Sequence, residues 1–384
     1  MNNQHQLAEI DNSGRAYIIY KSKKGFNLYT NFSKKIILNK KNIQNFLKRK
    51  FKNKTKKTDL FIGFFGYELL NNLINVKIPR QKNVNFPKGI FYKPEKIINL
   101  SNNLKYKSTK DLKNSDFKIN INKNAYTKIF DKFKKKIKSG ETYQIKICTK
   151  YKTKSKIDPL DFFTRLSKTN LAPEAFMIKD KNYSIISCSP ENLINKKGSE
   201  ISTKPIAGTV KKTKSLNKIK ALNYFKKNIK ETKEHNMIVD MERNDLSRVC
   251  RVGSVKLSKQ KIVEEYKDLF HYVSLIKGKL KKNIKNIDII KAMMPGGSVI
   301  GCPKINTLNL LNKQEKENRN IYTGSFGYIK FNGDMRFNII IRSILNFKNF
   351  SEISVASGVV VDSNSSHEFN ENFIKAKALI DLFK

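Results

Sequence analysis

Residues 322–361 decide the fold: Tyr322-Thr-Gly-Ser-Phe-Gly-Tyr-Ile-Lys-Phe331, the turn Asn332-Gly333, Phe337-Asn-Ile-Ile-Ile-Arg-Ser-Ile-Leu345 and, after a polar interval, Ile353-Ser-Val-Ala-Ser-Gly-Val-Val-Val361. Three runs of β-branched and aromatic residues separated by polar breaks read as three strands. Asn-Gly readily takes the left-handed backbone of a two-residue hairpin turn, so the first two strands are expected to pair antiparallel. A helix over about 366–383 follows, with Phe369, Phe373 and Ile380 as its apolar stripe.

The same grammar holds upstream. Ala175-Phe-Met-Ile178 and Tyr183-Ser-Ile-Ile-Ser-Cys188 flank a Lys-Asp-Lys-Asn turn and read as a second hairpin. Tyr143-Gln-Ile-Lys-Ile-Cys148 is a strand following a helix over about 123–139. Further helices are expected over 159–168, 215–242 (with Ile219, Leu222, Phe225 and Ile229 on one face), 286–294 and after Pro303. Nearer the N-terminus, 16–20 and 26–29 read as short strands, 41–57 as a basic helix and 60–67 as a strand. The Lys/Asn-rich interval 101–118 separates an N-terminal part, 1–118, from a more regular region, 119–384. Hairpins with interspersed helices indicate an α+β fold built on antiparallel sheet.

A chain of 384 residues, 39% hydrophobic and 29% charged, can bury a large core. No apolar run is long enough to span a bilayer. The N-terminus has no basic segment leading into an apolar one, so the cytoplasm is the expected compartment. Cys148, Cys188, Cys250 and Cys302 lie too far apart for a zinc motif or a compact disulfide framework, and read as reduced, mostly buried residues. The net charge of +46 raises the question of nucleic acid. Only 10 of the 78 basic residues are Arg, however, and Lys is spread along the chain with Asn and Ile, as an AT-rich coding sequence would produce. Base readers lean on Arg, so compositional drift is the preferred reading.

Glu231 and Glu234 share a helix face, which Ile238 and Met241 continue as apolar surface. Alone they would read as a solvated pair, but carboxylates at the edge of a burying face need a counter-charge or a metal. Glu368 and Glu371 repeat the spacing, with Lys375 one turn on; an ordinary Glu–Lys pair is the plain alternative. Four carboxylates from two helices would suit Mg2+. Pro295-Gly-Gly-Ser-Val-Ile-Gly-Cys-Pro-Lys304 and Ser357-Gly358 offer backbone N–H groups to anions, or are simple turns. Arg342, on an apolar run, needs an anionic partner such as a substrate carboxylate. Glu191, after a buried-looking strand, is a candidate general acid, and His271 is a lone histidine with a structural alternative.

Ser189-Pro-Glu191, Lys204-Pro-Ile-Ala-Gly-Thr209, Glu234-His235 through Arg243-Asn-Asp245, Pro295-Gly-Gly-Ser298 with Gly301-Cys-Pro-Lys304, Tyr322-Thr-Gly324, Ile341-Arg-Ser343 and Glu368-Phe-Asn-Glu371 together resemble the chorismate-utilising enzymes. These include anthranilate synthase component I, aminodeoxychorismate synthase component I, and isochorismate and salicylate synthases. The resemblance covers about 120–384, and 1–118 joins it weakly through Gly63-Phe-Phe-Gly-Tyr-Glu68. It implies a large sandwich of two antiparallel sheets with flanking helices and the active site in the cleft between them. It implies Mg2+ on Glu234 and Glu371, with Glu231 and Glu368 assisting through water, and the ring carboxylate of chorismate on the metal. Tyr322, Arg342, Lys375 and the backbone near Gly358 resemble the grip on the other carboxylate, Ser298 a ring-carboxylate contact, Gly208 part of the substrate loop, and His271 a residue beside the ring. Glu191 matches the general acid that helps the C4 hydroxyl depart.

The motifs resemble the ammonia-using members more than those that activate water. Ser298 and Asn170-Leu-Ala-Pro-Glu-Ala-Phe176 resemble aminodeoxychorismate synthase component I, which is the preferred reading; anthranilate synthase component I is the alternative. Ala207 stands where the best-known aminodeoxychorismate synthases carry a nucleophilic Lys, and Lys204 is three residues away. No glutaminase signature is present, so a separate glutamine amidotransferase is the implied source of ammonia.

Overall fold

The computed structural model describes residues 3–49, 56–78, 86–106, 115–155, 157–169, 171–213, 215–266 and 269–384, without the side chains of residues 3, 4, 207, 211 and 230. Among them, eighteen strands join in one network of antiparallel pairs. One half runs from Gly301–Cys302 through Gln144–Lys154, Phe350–Val359, Ser343–Phe347, Tyr183–Ser189, Glu174–Asp180 and Tyr17–Ser22 to Gly25–Ile37. Lys118–Ile119 adds to the strand Gln144–Lys154. The other half continues through Gly89–Leu100, Leu60–Phe65, Ser325–Lys330, Met335–Asn338, Asn192–Lys197 and Glu200–Lys204 to Leu269–Lys279. Ile206–Lys211 and Lys256–Glu265 also pair with that last strand. The two expected sheets are therefore joined, through the long pair Gly25–Ile37 and Gly89–Leu100.

The two halves share a core. Ile18, Phe176, Ile178 and Ile185 from the first pack in one cluster with Ile62, Phe64, Ile90 and Phe326 from the second. Phe176 and Phe326 stack with centroids 3.7 Å apart and planes within 5°. Their strands are not neighbours in the sheet. Each buried ring contributes about 1.5–3 kcal/mol, and an aromatic pair about 0.5–1.5 kcal/mol more.

Asparagine, abundant through composition, caps the helices. Asn122, Asn217, Asn228 and Asn364 each accept a hydrogen bond from a first-turn N–H of the helices Lys123–Lys138, Lys218–Lys227, Ile229–Val249 and Ser365–Ile380. The single helix expected over 215–242 is two, because Asn228 leaves helical backbone to end one and cap the next. Half of the expected stripe holds: Phe225 is buried and Leu222 packs against its cluster, whereas Ile219 and Ile229 are 70% and 69% exposed and Ala221 takes the inward place. Likewise the last helix buries Glu368, Asn372, Ala376 and Leu379 and leaves Phe373 exposed, so its carboxylate face is the inward one.

The basic helix expected at 41–57 covers only Ile43–Leu47, and 50–55 lie outside the described residues, as do 107–114 of the expected boundary. The run 337–345 is two strands with Arg342 between them at φ +50°. All four cysteines are free, three of them buried. Among the described residues no helix is long and apolar enough to cross a membrane.

Candidate active site

Strand Tyr183–Ser189 ends where Pro190 interrupts the ladder, and Glu191 follows inside the protein, 4% exposed. Ser298, on the short turn Gly297–Val299, donates to its Oε1 at 2.8 Å. Burial pushes the Glu191 carboxyl up to about 7; the Ser298 hydrogen bond and the charges of Lys146 and Arg342 hold it from rising further. A carboxyl near 7 is matched to proton transfer at neutral pH. Arg342 is half-buried, and among the described residues its guanidinium makes no hydrogen bond or ion pair. Its left-handed backbone costs roughly 1–3 kcal/mol, a strain that folds retain chiefly at functional positions. A desolvated, uncommitted guanidinium is a ready site for a carboxylate.

Linked to Glu191 through the charge of Lys146 is a group of carboxylates held by lysines. The Lys146 ammonium and the Gln144 amide both donate to Glu234 Oε1, at 2.8 and 2.7 Å. Burial alone would raise Glu234, but Lys146 and these hydrogen bonds outweigh it and hold the carboxyl below its ordinary range. Burial is likewise outweighed at Glu371, where Lys375 at 2.7 Å brings the carboxyl down to about 2. Glu368, 1% exposed, accepts from Ser363 Oγ at 3.0 Å and hydrogen-bonds Glu371. His367, Glu368 and Glu371 bring ligand atoms within 4.8 Å of one another. Glu234 is not in that close group; Lys146, bonded to Glu234, also feels the charges of Glu371 and Glu368 and so links the two helices electrostatically. Carboxylate oxygens are the donors that Mg2+ takes, and it keeps several waters when bound. Glu231 sits in the first turn of its helix, and its Oε2 would lie 3.2 Å from a Cβ at Gly208.

Other expected residues fall close by. Gly358 pairs across the sheet with Lys146, and a Cβ there would meet Lys146 Nζ at 2.6 Å and Gln144 Nε2 at 3.1 Å. Tyr322 is buried under Arg319, whose guanidinium lies 5.9 Å from the ring, and Thr323 N–H bonds Ile340 O beside Arg342. Lys375 also donates to Ala356 O at 3.0 Å, so Glu371 and a carbonyl already engage it. His271 is tied to Thr209 Oγ1 at 2.8 Å, and burial, with the charge of Arg342, lowers its pKa to about 3; it is neutral. Ala207 belongs to the strand Ile206–Lys211, with its side chain outside those described.

Sequence reasoning missed Gln144, Lys146 and Glu242. The signal for the first two was alternation: in Gln144-Ile-Lys-Ile the even positions are polar and the odd ones, Ile145 and Ile147, are core. Glu242, 1% exposed, accepts from Thr203 Oγ1 at 2.5 Å, and burial, together with the charge of Glu191, pushes it well above the carboxylate range. Of the Arg243-Asn-Asp245 block, Asp245 forms a buried 2.5 Å pair with Lys304, whereas Arg243 is exposed and bonds Asp240. Asp245 thus braces its helix against Lys304. A cleft of about 660 Å³ elsewhere, lined by Lys35, Asp180, Tyr183 and Phe347, contains none of the expected site residues.

Residues 7–381 match the family model described as chorismate binding enzyme. Aminodeoxychorismate synthase component 1 of Bacillus subtilis is 36% identical over 264 residues, covering 68% of this chain and 56% of that protein. An anthranilate synthase component I-like protein of Synechocystis is 31% identical over 347 residues, covering 83% and 72%. The chain thus spans little more than half the length of the Bacillus relative. The crystal structure of anthranilate synthase component I from Streptococcus pneumoniae superposes with a TM-score of 0.76 at 25% identity, covering 95% of this chain and 92% of that one. The menaquinone-specific isochorismate synthase of Escherichia coli shares the fold, with a TM-score of 0.77 at 15% identity, covering 96% and 89%. With a family model matched along nearly the whole chain and a buried acid set against a lysine-held carboxylate cluster, this protein belongs to the chorismate binding enzymes.

Proposed function

We propose that this chain is an aminodeoxychorismate synthase component I, replacing the C4 hydroxyl of chorismate with ammonia delivered by a glutamine amidotransferase partner in the cytoplasm. The observation that carries the chemistry is Glu191, buried, bonded by Ser298 and poised at about 7. Hydroxide is a poor leaving group, and a neutral carboxyl can give it a proton so that it departs as water. The proton shed by the incoming amine returns Glu191 to its acid form. Arg342 would take one substrate carboxylate. Mg2+ held by Glu234, Glu368 and Glu371, with Glu231 assisting, would supply positive charge for the other. Gln144 carries an amide, which cannot take a proton from water, and this favours ammonia as the nucleophile over water. The Bacillus relative supports the aminodeoxychorismate product.

A second reading, anthranilate synthase component I, is favoured by Ala207, which offers no amine to add covalently to the ring. On the preferred reading ammonia adds without a protein-bound intermediate. We also infer that the sheet is folded back at its long central pair into a two-layered sandwich, from the core shared by its halves. Incubating the purified protein with chorismate, Mg2+ and ammonium tests the function. Chorismate should be consumed with 4-aminobenzoate forming only after a separate lyase is added. Direct release of fluorescent anthranilate with pyruvate would overturn the preferred product.

A further inference from the structure

Lys146 has a place that the proposed chemistry does not use. Its side chain lies along the polar face of strand Gln144–Lys154, over Gly358 on the paired strand, where any Cβ would collide with the ammonium. Arg319 Nη2 caps its carbonyl at 3.2 Å, fixing the backbone from which it projects. The side chain is only 13% exposed, and its ammonium sits 2.8 Å from Glu234 Oε1. Gln144 occupies the same oxygen, so Oε1 already has two donors. A divalent cation shared by Glu234 and Glu371 would have to displace that ammonium or bind beside it, and two cations a few ångströms apart repel strongly unless an anion lies between them.

We propose that Lys146 is a built-in counter-cation of the carboxylate cluster: it holds Glu234 when no divalent ion is bound, opposes the ion's entry, and makes tight binding depend on an anionic substrate. Electrostatic repulsion between Lys146 and the ion is relieved when a substrate carboxylate arrives to share both. The cluster is thereby kept organised without a metal, and the metal is retained mainly with substrate. This rests on the reading of Glu234, Glu368 and Glu371 as a metal site.

The test is Mn2+ titration of the full chain, read by the electron paramagnetic resonance of free Mn2+, with and without chorismate and with ammonium omitted. Wild type should bind Mn2+ weakly alone and more tightly with chorismate. In Lys146→Met, binding without chorismate should tighten by about tenfold, the scale of one close like-charge contact in a partly solvated site, and the gain from chorismate should shrink to within about twofold. Lys146→Arg should restore the wild-type pattern. Wild-type binding with an unchanged or weaker affinity in Lys146→Met overturns the proposal and leaves the metal site standing. Absence of Mn2+ binding by wild type, with no difference in Glu371→Gln, overturns the metal reading itself. Thermal unfolding checks each variant, and Lys146→Gln replaces the Met variant if that one fails to fold.

Discussion

Glu191 and Glu371 are the same residue type in the same site, driven in opposite directions. Glu191 is enclosed with one hydroxyl donor and is pushed up to about 7; Glu371 has an ammonium at 2.7 Å and is brought down to about 2. What separates them is the partner rather than the burial, which raises both. One part of the site thus favours a proton and the other negative charge. Neither role is encoded in the residue itself.

The strongest way to break this contrast is Glu191→Gln, which removes the proton donor while keeping its shape. It is expected to lower kcat by about 10²–10⁴-fold, measured as chorismate consumption at saturating substrate. A loss under tenfold would mean that Glu191 is not the acid. The same variant sharpens the contrast in stability. Glu191 has a folded value of about 7 against an ordinary 4.5, so the native state keeps a proton that the unfolded chain releases. Its contribution is complete below about 4.5 and is lost as pH rises through 7. Glu191→Gln should therefore gain on wild type between pH 4.5 and 8, by roughly 2–3 kcal/mol in urea unfolding. Glu371 runs the other way, contributing above its ordinary value and losing that contribution as pH falls towards 2.

Ser298→Ala deletes a bond that favours the ionised form of Glu191. The alkaline limb of the rate profile should move up by about half to one unit. A downward shift would mean that Ser298 serves the neutral acid instead. The smallest effect belongs to Lys375→Met, which breaks a pair whose partners are 42% and 36% exposed; the loss of stability should stay below about 1 kcal/mol. A larger change would mean that this part of the site is more enclosed than its exposure indicates.

Period-two runs were legible in the sequence because each has one neighbourhood. The hairpin Glu174–Asp180 with Tyr183–Ser189 and the pair Ser325–Lys330 with Met335–Asn338 form where alternation and turn residues put them. The helical stripe misled at Phe373 because the inward face of the last helix is polar, carrying Glu368 and Asn372, and at Ile219 and Ile229 because Asn228 breaks the expected helix in two. A hydrophobicity pattern cannot mark a buried face that holds charge for function. Glu191 was legible through its motif, but Lys146 resembled one more lysine in a chain with 78 basic residues. Alternation with Ile145 and Ile147 marks only its face; the contact with Glu234 gives its place in the site.

Strand Leu60–Phe65 is buried along all six residues and finds one of its two partners at Ser325–Lys330, near the other end of the chain. During synthesis that strand emerges long before the partner exists. Its free edge, Leu-Phe-Ile-Gly-Phe-Phe, carries no charge and favours pairing with other chains. A chain that ends prematurely before residue 325 would keep that edge open, so the last sixty residues act as the protein's protection against aggregation as well as carrying part of its site.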